Sequence, residues 1–411
     1  MTDVAANNGK KTFLFLQGPV GGFFPGLAEA HEVDGHRALK INLCVGDWLF
    51  WRRKGAINFR KSPDKWPTFI RDLYKRQGIT NIVLLGEQRW YHQQAIAIAE
   101  EMGVHVTVTD FGYIRPDWIT LEEKAMNGGS LLTRDPEEIR KIARQIGDHD
   151  YDRGLKYHSK FWSMALPDIA YNIAAQILWF LYPHYRTHQK YNVAATYVGT
   201  LGRIATAKSR ALRAEKIIQD MGEKPDSEPV FLLPLQMETD FQLRAYSHFS
   251  SMQDVLEDVV ASFARSAPKA ATLIVKLHPY DPNIQNFTRH CKRIASQNGV
   301  SDRVHFIDGG NGDRLIQHCA GTITVNSTMG LGALMLICPV FVMAICNYRV
   351  EGLVAMDDLD GFWNKPEPVN TELRDSFVET LIASSLIRGL FYDQPGLDNA
   401  IKEAKWRLLN D

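Results

Sequence analysis

The chain has 411 residues, 45% hydrophobic and 23% charged, a composition that suits a globular protein of two domains better than a single core. Lys plus Arg and Asp plus Glu both number 47, so no global field recruits nucleic acid. The five cysteines, Cys44, Cys291, Cys319, Cys338 and Cys346, form no CxxC pair, which argues against a disulfide frame or a cysteine zinc site and for reduced thiols in the cytoplasm.

In chain order, TFLFLQG follows Lys10 and Lys11. It is shorter than a signal-peptide core of roughly 7–15 residues and reads as a first strand, closed by a glycine-rich turn. Then come ALKINLC, a helix around FIRDLYKRQG, the strand NIVLLGE, the helix HQQAIAIAEEMG and the strand HVTVTDFG. Continuous apolar strands separated by helices of this length predict βαβ units and a parallel sheet. A helical middle runs from about Pro136 to Gly222. The alternation then restarts with PVFLLPLQ, a helix over Ser251–Ser266, TLIVKLHP, a helix near NFTRHCKRIASQNG, RVHFIDG and GTITVNS. The fold class expected is therefore α/β, two Rossmann-like domains facing across a cleft, with a helical bridge and C-terminal helices. The turn-rich GEKPDSEP, Gly222 to Pro229, sets the expected domains at 1–222 and 223–411. The helices beyond Leu373 could pack back across both.

No run reaches the roughly 20 apolar residues that span a bilayer. The nearest, Ile169 to Tyr182, is broken by Asn172 and Gln176. It leads into a basic stretch carrying Arg186, Lys190, Arg203, Lys208, Arg210, Arg213 and Lys216 against Glu215 alone. Two readings stay open: a solvated helical linker, or a patch that touches an anionic membrane surface.

Ligands of open parallel sheets bind beyond the C-terminal ends of the strands, and five such ends carry polar or small residues. In LQGPVGGFF, Gly18, Gly21 and Gly22 permit close backbone approach, although the spacing is not GxGxxG and a plain tight turn fits equally. In TDFGYIRPDWITLEE, Asp110, Glu122 and Glu123 are candidate acids or bases and Arg115 a fork for carboxylate or phosphate. After PVFLLPLQ come Gln236, Glu238 and Asp240, with Arg244, Ser247 and His248 just beyond. A carboxylate beside arginine stays ionised, as a nucleophile must; an exposed loop with an aspartate helix cap is the alternative. Lys276 and His278 end TLIVKLHP, where Pro279 stiffens the turn, and both could meet phosphate oxygens. Finally, Asn326-Ser327-Thr328 opens a small-residue helix, whose hydroxyls and free N–H groups suit phosphate.

The lysine-histidine-proline turn and the serine-threonine helix start resemble the HP and S motifs of CMP-sugar transferases of the GT-B fold. With PLQMETDFQLRAYSHF, GYIRPDWITLE, LYPHYRTHQKY and DLDGFW, the chain is similar, over roughly Thr12 to Trp363, to the KpsS/LipB type of capsule polysaccharide biosynthesis and export proteins. The resemblance implies a retaining β-Kdo transferase that uses CMP-Kdo to start a Kdo linker on a phosphatidylglycerol lipid. It implies an enzyme at the cytoplasmic face of the inner membrane of a Gram-negative bacterium, beside other capsule synthesis and export proteins. Lys276 and His278 would then hold the donor phosphate and the Kdo carboxylate, with Ser327 and Thr328 completing the anion pocket. Asp240 stands where related retaining Kdo transferases place their nucleophile, and Glu238, two residues earlier, is its rival. Relatives often carry glutamate in place of Asp110, so Asp110 and Glu122 remain alternatives for the acid/base. No cofactor and no metal are expected: there is no strand-flanked DxD, and Asp357-Asp358-Leu359-Asp360 reads as a loop or cap. The competing functions are a GT-B transferase for another nucleotide sugar, and a non-catalytic scaffold coupling synthesis to export.

Overall fold

The computed structural model describes residues 9–147, 154, 156–187, 191 and 193–410. Six strands come from the first part of the chain: β1 (Thr12–Phe15), β2 (Arg37–Asn42), β3 (Ala56–Asn58), β4 (Asn81–Leu85), β5 (His105–Phe111) and β6 (Trp118–Glu123). Five more follow the helical bridge: β7 (Val230–Pro234), β8 (Thr272–Lys276), β9 (Val304–Ile307), β10 (Gly321–Thr324) and β11 (Val340–Val342). The second set makes an all-parallel sheet in the order β11-β10-β7-β8-β9. The strands β1, β7, β8 and β10 are buried along their whole length, as expected when helices cover both faces of a sheet.

The first sheet runs β6-β5-β4-β1-β2-β3, parallel from β5 to β3. It departs from the expected parallel sheet at one edge, where β6 returns antiparallel to β5 and pairs Asp110 with Thr120. A twelfth strand, β12 (Leu386–Arg388), then adds antiparallel to β6. The helix Gly396–Asn410 packs on the helix Phe23–Val33, where the absent Cβ of Gly26 makes room for Ile401 and Lys405 pairs with Asp34 at 2.7 Å. Residues 386–410 thus complete the first domain, not the 223–411 unit to which the boundary at Gly222–Pro229 assigned them. Their apolar side chains Ile387, Ala400 and Ala404 share a core with Phe13, Phe15 and Ile119.

Local signals explain the helices. The helix Met252–Ser266 starts with a reciprocal cap between Ser251 and Asp254 and buries Met252, Val255, Leu256, Val259 and Phe263. The helix Trp66–Gln77 stops at Gly78, whose φ of 61° is left-handed. Direct contacts hold the domains together. Asn127 Nδ2 donates to the Asn326 carbonyl at 3.1 Å, Arg134 Nε donates to the Cys346 carbonyl at 2.9 Å, and the Tyr246 hydroxyl donates to Glu87 at 3.0 Å. Two Rossmann-like domains facing across a cleft in this way constitute the GT-B arrangement. None of the five cysteines is in a disulfide, and among the described residues no helix is long and apolar enough to cross a membrane.

Candidate active site

Parallel strands deliver their C-terminal ends to one edge of a sheet, so four exits meet in the second domain. Gln236 and Asp240 follow β7, Lys276 and His278 lie at the end of β8, Asp308 follows β9, and Asn326 to Thr328 follow β10. The side chain of Gln236 joins two of them: Nε2 donates to Asp240 Oδ2 at 3.1 Å and to Asn326 Oδ1 at 2.9 Å. Asp240 also caps the helix Phe241–Tyr246, accepting from the Gln242 N–H at 2.9 Å. It is therefore a helix cap, but not in an exposed loop: burial raises its carboxyl above the ordinary range, against the bonds from Gln242 and Gln236. Arg244 makes no ion pair with it among the described residues. The guanidinium turns to the Glu238 carbonyl at 3.0 Å and over the Phe241 ring, and reaches Asp240 only through its field.

Glu238 is placed differently from its neighbour. It is buried, and Oε2 accepts from the Met252 N–H at 2.9 Å, at the start of the helix Met252–Ser266. Its position two residues before Asp240 does not give it the same face, because the chain turns after Gln236 and the Asp240 N–H closes on the Met237 carbonyl.

Lys276 is buried with its amine pKa lowered, by burial first, while the Asp308 carboxylate opposes that shift. Among the described residues its Nζ makes no hydrogen bond or ion pair. His278 Nδ1 accepts from the Tyr280 N–H at 3.2 Å, which leaves Nε2 to carry the ring proton. Burial, then the cations Arg115, Lys276 and Arg203, push this imidazole down to about 4, so at neutral pH it is an uncharged donor. Ser327 caps the helix Thr328–Met335 by accepting from the Met329 N–H at 3.2 Å, and its carbonyl accepts from the Tyr348 hydroxyl at 2.5 Å. Pro279 is exposed, and its carbonyl accepts from Arg203 at 3.4 Å.

Across the cleft, Asp110 ends β5. Its Oδ1 accepts from the Phe111 N–H at 2.7 Å. Burial pushes its carboxyl up to about 6, the charge of Asp240 adds to that, and Arg115 and Arg89 pull the other way. Arg115 lies over the Phe111 ring at 5.0 Å, and its charge reaches both Asp110 and His278. Asp110, Arg115, Asp240, Lys276 and His278 thus form one electrostatic unit drawn from both domains. Glu122 lies outside it. It is buried on β6, and accepts hydrogen bonds from the Ser130 and Tyr113 hydroxyls. Burial, with Glu87 adding, pushes its carboxyl up to about 7. Glu123 is exposed at the far end of β6.

Gly18 has a packing reason of its own: the Phe24 ring occupies the space where its Cβ would stand. The basic stretch also departs from the reading of a uniformly exposed face. Arg203 and Arg210, on the helix Val193–Gly222, turn inward onto Asp308, the first at 2.7 Å, and Arg203 also donates to the Asp281 carbonyl. Arg203 thereby ties the loop after β8 to Asp308 beyond β9. His188, Gln189, Lys190 and Asn192 of that stretch lie outside the described residues. Asp358 caps the helix Leu359–Phe362, and Asp360 pairs with Arg265 at 2.7 Å.

Sequence reasoning missed Glu87, Arg89, Asn326 as the partner of Gln236, and Arg203. Glu87 and Arg89 follow β4 in GEQRW, a sixth polar strand end that the same rule would have found. The assembled chemistry is a carboxylate held by an amide and a backbone N–H, a second carboxyl titrating near neutrality opposite it, and a cation with a neutral imidazole donor suited to an anion.

Comparisons with known proteins place the chain. The family model described as "Capsule polysaccharide biosynthesis protein" matches residues 80–392. The chain is similar to the capsule polysaccharide export protein KpsS of Escherichia coli, 28% identical with 94% of this chain and 97% of that one aligned. It is 30% identical to the capsule polysaccharide modification protein LipB of Neisseria meningitidis serogroup A, over 93% of this chain and 92% of that one. Among solved structures, the β Kdo 2,7 transferase KpsC of Thermosulfurimonas dismutans aligns over 97% of this chain and 99% of that one, at a TM-score of 0.45 and 12% identity. This chain belongs to the capsule polysaccharide biosynthesis protein family.

Proposed function

We propose that this protein is a retaining β-Kdo transferase that uses CMP-Kdo to place Kdo on a phosphatidylglycerol-type lipid at the inner membrane. The observation that carries the reading is that two carboxyls from opposite domains, Asp240 and Asp110, feel each other's charge, while Arg115 beside Asp110 also acts on His278. In the first step the Asp240 carboxylate attacks the anomeric carbon. The bond to the phosphate oxygen breaks, and CMP leaves with its electron pair. In the second, a glycerol hydroxyl attacks the same carbon, its proton passes to Asp110, and the Asp240 carboxylate is released. Two displacements at one carbon retain its configuration.

Lys276 supplies charge to the departing phosphate, and His278 Nε2–H and the Ser327–Thr328 helix start supply neutral donors. With protein groups neutralising the phosphate, the reaction requires no cofactor or metal, so transfer persists in EDTA. Glu238 and Glu122 serve structure rather than chemistry.

The test is purified protein with CMP-Kdo generated in place and a phosphatidylglycerol analogue, read by mass spectrometry. A gain of one Kdo on the lipid supports the reading. Transfer from a different nucleotide sugar instead would reassign the donor. Intact glycolipid synthesis with lowered transport in Asp240→Ala would favour the scaffold.

A further inference from the structure

The helix Phe161–Ile177 has one face that the fold explains. Tyr171 sits between the domain's first loops: its hydroxyl donates to Asp47 Oδ1 at 3.2 Å and accepts from Gln17 Nε2 at 2.8 Å, and its ring fills the space left by the absent Cβ of Gly46. Asn172 is buried beside it. These contacts fix the rotation of the helix, and the opposite face is left bare. Trp162, Leu166, Ile173 and Ile177 are 57%, 59%, 47% and 67% exposed, at spacings of four, seven and four that make a single stripe. Trp179 and Phe180, 62% and 58% exposed, extend it past the helix end. A soluble surface rarely leaves such a contiguous apolar stripe uncovered.

Charge says what would cover it. From Phe161 to Ala214 the sequence holds one carboxylate, Asp168, and that group accepts from the Tyr197 hydroxyl at 3.2 Å. Lys160, which immediately precedes the helix, is exposed, and so are Arg186, Lys208 and Arg213 further along the same acid-poor stretch. An aromatic-rich apolar stripe that opens beside Lys160, in a basic stretch nearly free of acids, matches an anionic bilayer surface. At 17 residues, roughly 25 Å, the helix falls short of a hydrocarbon core of about 30 Å, so such a contact would be interfacial.

We propose that the outer stripe of Phe161–Ile177, continued through Phe180, is the surface by which this protein embeds in an anionic lipid bilayer. The stripe begins at the cleft. The Phe161 ring stacks on Tyr280 with centroids 6.4 Å apart, two residues beyond His278. On the transferase reading, embedding the stripe brings the acceptor lipid to Asp110 without its leaving the membrane. The insertion itself does not depend on that reading.

The experiment uses the full chain with vesicles of phosphatidylglycerol, or of phosphatidylcholine alone, read by sedimentation and by quenching of tryptophan emission with brominated acyl chains. The wild type is expected to bind phosphatidylglycerol vesicles, more weakly the phosphatidylcholine ones, with its emission quenched. The double variant Ile173→Asp, Ile177→Asp is expected to bind at least tenfold more weakly while CMP affinity and melting temperature stay unchanged. Vesicle binding undiminished in the double variant, or binding without quenching, overturns the proposal. A dimer in solution that these substitutions dissociate, with no vesicle binding by the wild type, would give the stripe to a second copy of the chain and also overturn it. Vesicle binding without Kdo transfer would sink the transferase reading alone. Kdo transfer to a water-soluble glycerol phosphate by a protein that ignores vesicles would sink this inference alone.

Discussion

One amide nitrogen of Gln236 donates to both Asp240 and Asn326, at 3.1 and 2.9 Å, so the proposed nucleophile and the end of β10 are set by one side chain. A carboxylate aimed this way loses aim without losing charge when the amide goes. Gln236→Leu is expected to lower kcat by tenfold or more with CMP affinity little changed. Asp240→Asn should abolish transfer while CMP still binds. Wild-type protein trapped with donor alone should gain one Kdo mass on the peptide containing Asp240, and full activity in Asp240→Asn would end the assignment. Glu238→Ala, which deprives the Met252 N–H of its acceptor, is expected instead to destabilise the fold by about 1–3 kcal/mol.

The acid/base assignment predicts a pH profile. As a base toward the acceptor hydroxyl, Asp110 must be ionised, and burial has moved its carboxyl up to about 6. Turnover should therefore rise tenfold per unit at acid pH and level off above about 6 in a plot of log rate against pH. Asp110→Asn is expected to remove that limb and about 10²–10⁴-fold of the rate. A limb that survives the substitution would assign it to another group.

Glu122 yields a stability prediction of defined sign. Its folded carboxyl, at about 7, lies above the unfolded value near 4.5, so the folded state holds the proton more tightly. That contribution is fully present below about pH 4.5 and is lost as pH rises to 7. Glu122→Gln, which needs no ionisation, should be more stable than wild type at pH 8 by about 3 kcal/mol and nearly equal to it at pH 4.5. Denaturant unfolding at the two pH values measures this. Transfer should persist in the variant.

The anion site is tested at its two donors. Lys276→Ala and His278→Ala each remove a contact worth roughly 1.5–3 kcal/mol when the partner is charged, or at least tenfold in CMP affinity by calorimetry. Since the imidazole is neutral above pH 5, His278→Asn should recover part of the loss by restoring an N–H donor. Unchanged affinity in both alanine variants would remove CMP from this turn.

The strands that build the site were legible because they are apolar along their whole length and end in polar residues. Asp240, Lys276, His278 and Ser327 could be found from that pattern alone. The edge strands were not legible: β12 is three residues, Leu386–Arg388, directly following a helix, and only pairing with β6 makes it a strand. The fate of cations was equally hidden, since sequence shows Arg203 and Arg210 beside Lys208 without showing that the first two find Asp308. Glu238 and Asp240 look equivalent until the turn after Gln236 sends one to a helix start and the other to the cleft. Gly18 illustrates the opposite error, a glycine whose missing side chain serves the neighbouring phenylalanine.

The return of β12 to the first sheet has a consequence for biosynthesis. While the chain emerges from the ribosome, the first domain has an open flank: the backbone of β6 lacks its outer partner, and the apolar residues Phe23 and Leu27 of the helix Phe23–Val33 wait uncovered. That flank is sealed only after the whole second sheet has been made. An unpaired strand beside bare apolar surface invites adhesion between chains, so a fragment ending at Gly222 is expected to be sticky, lacking the β12 pairing and the last helix that cover this flank.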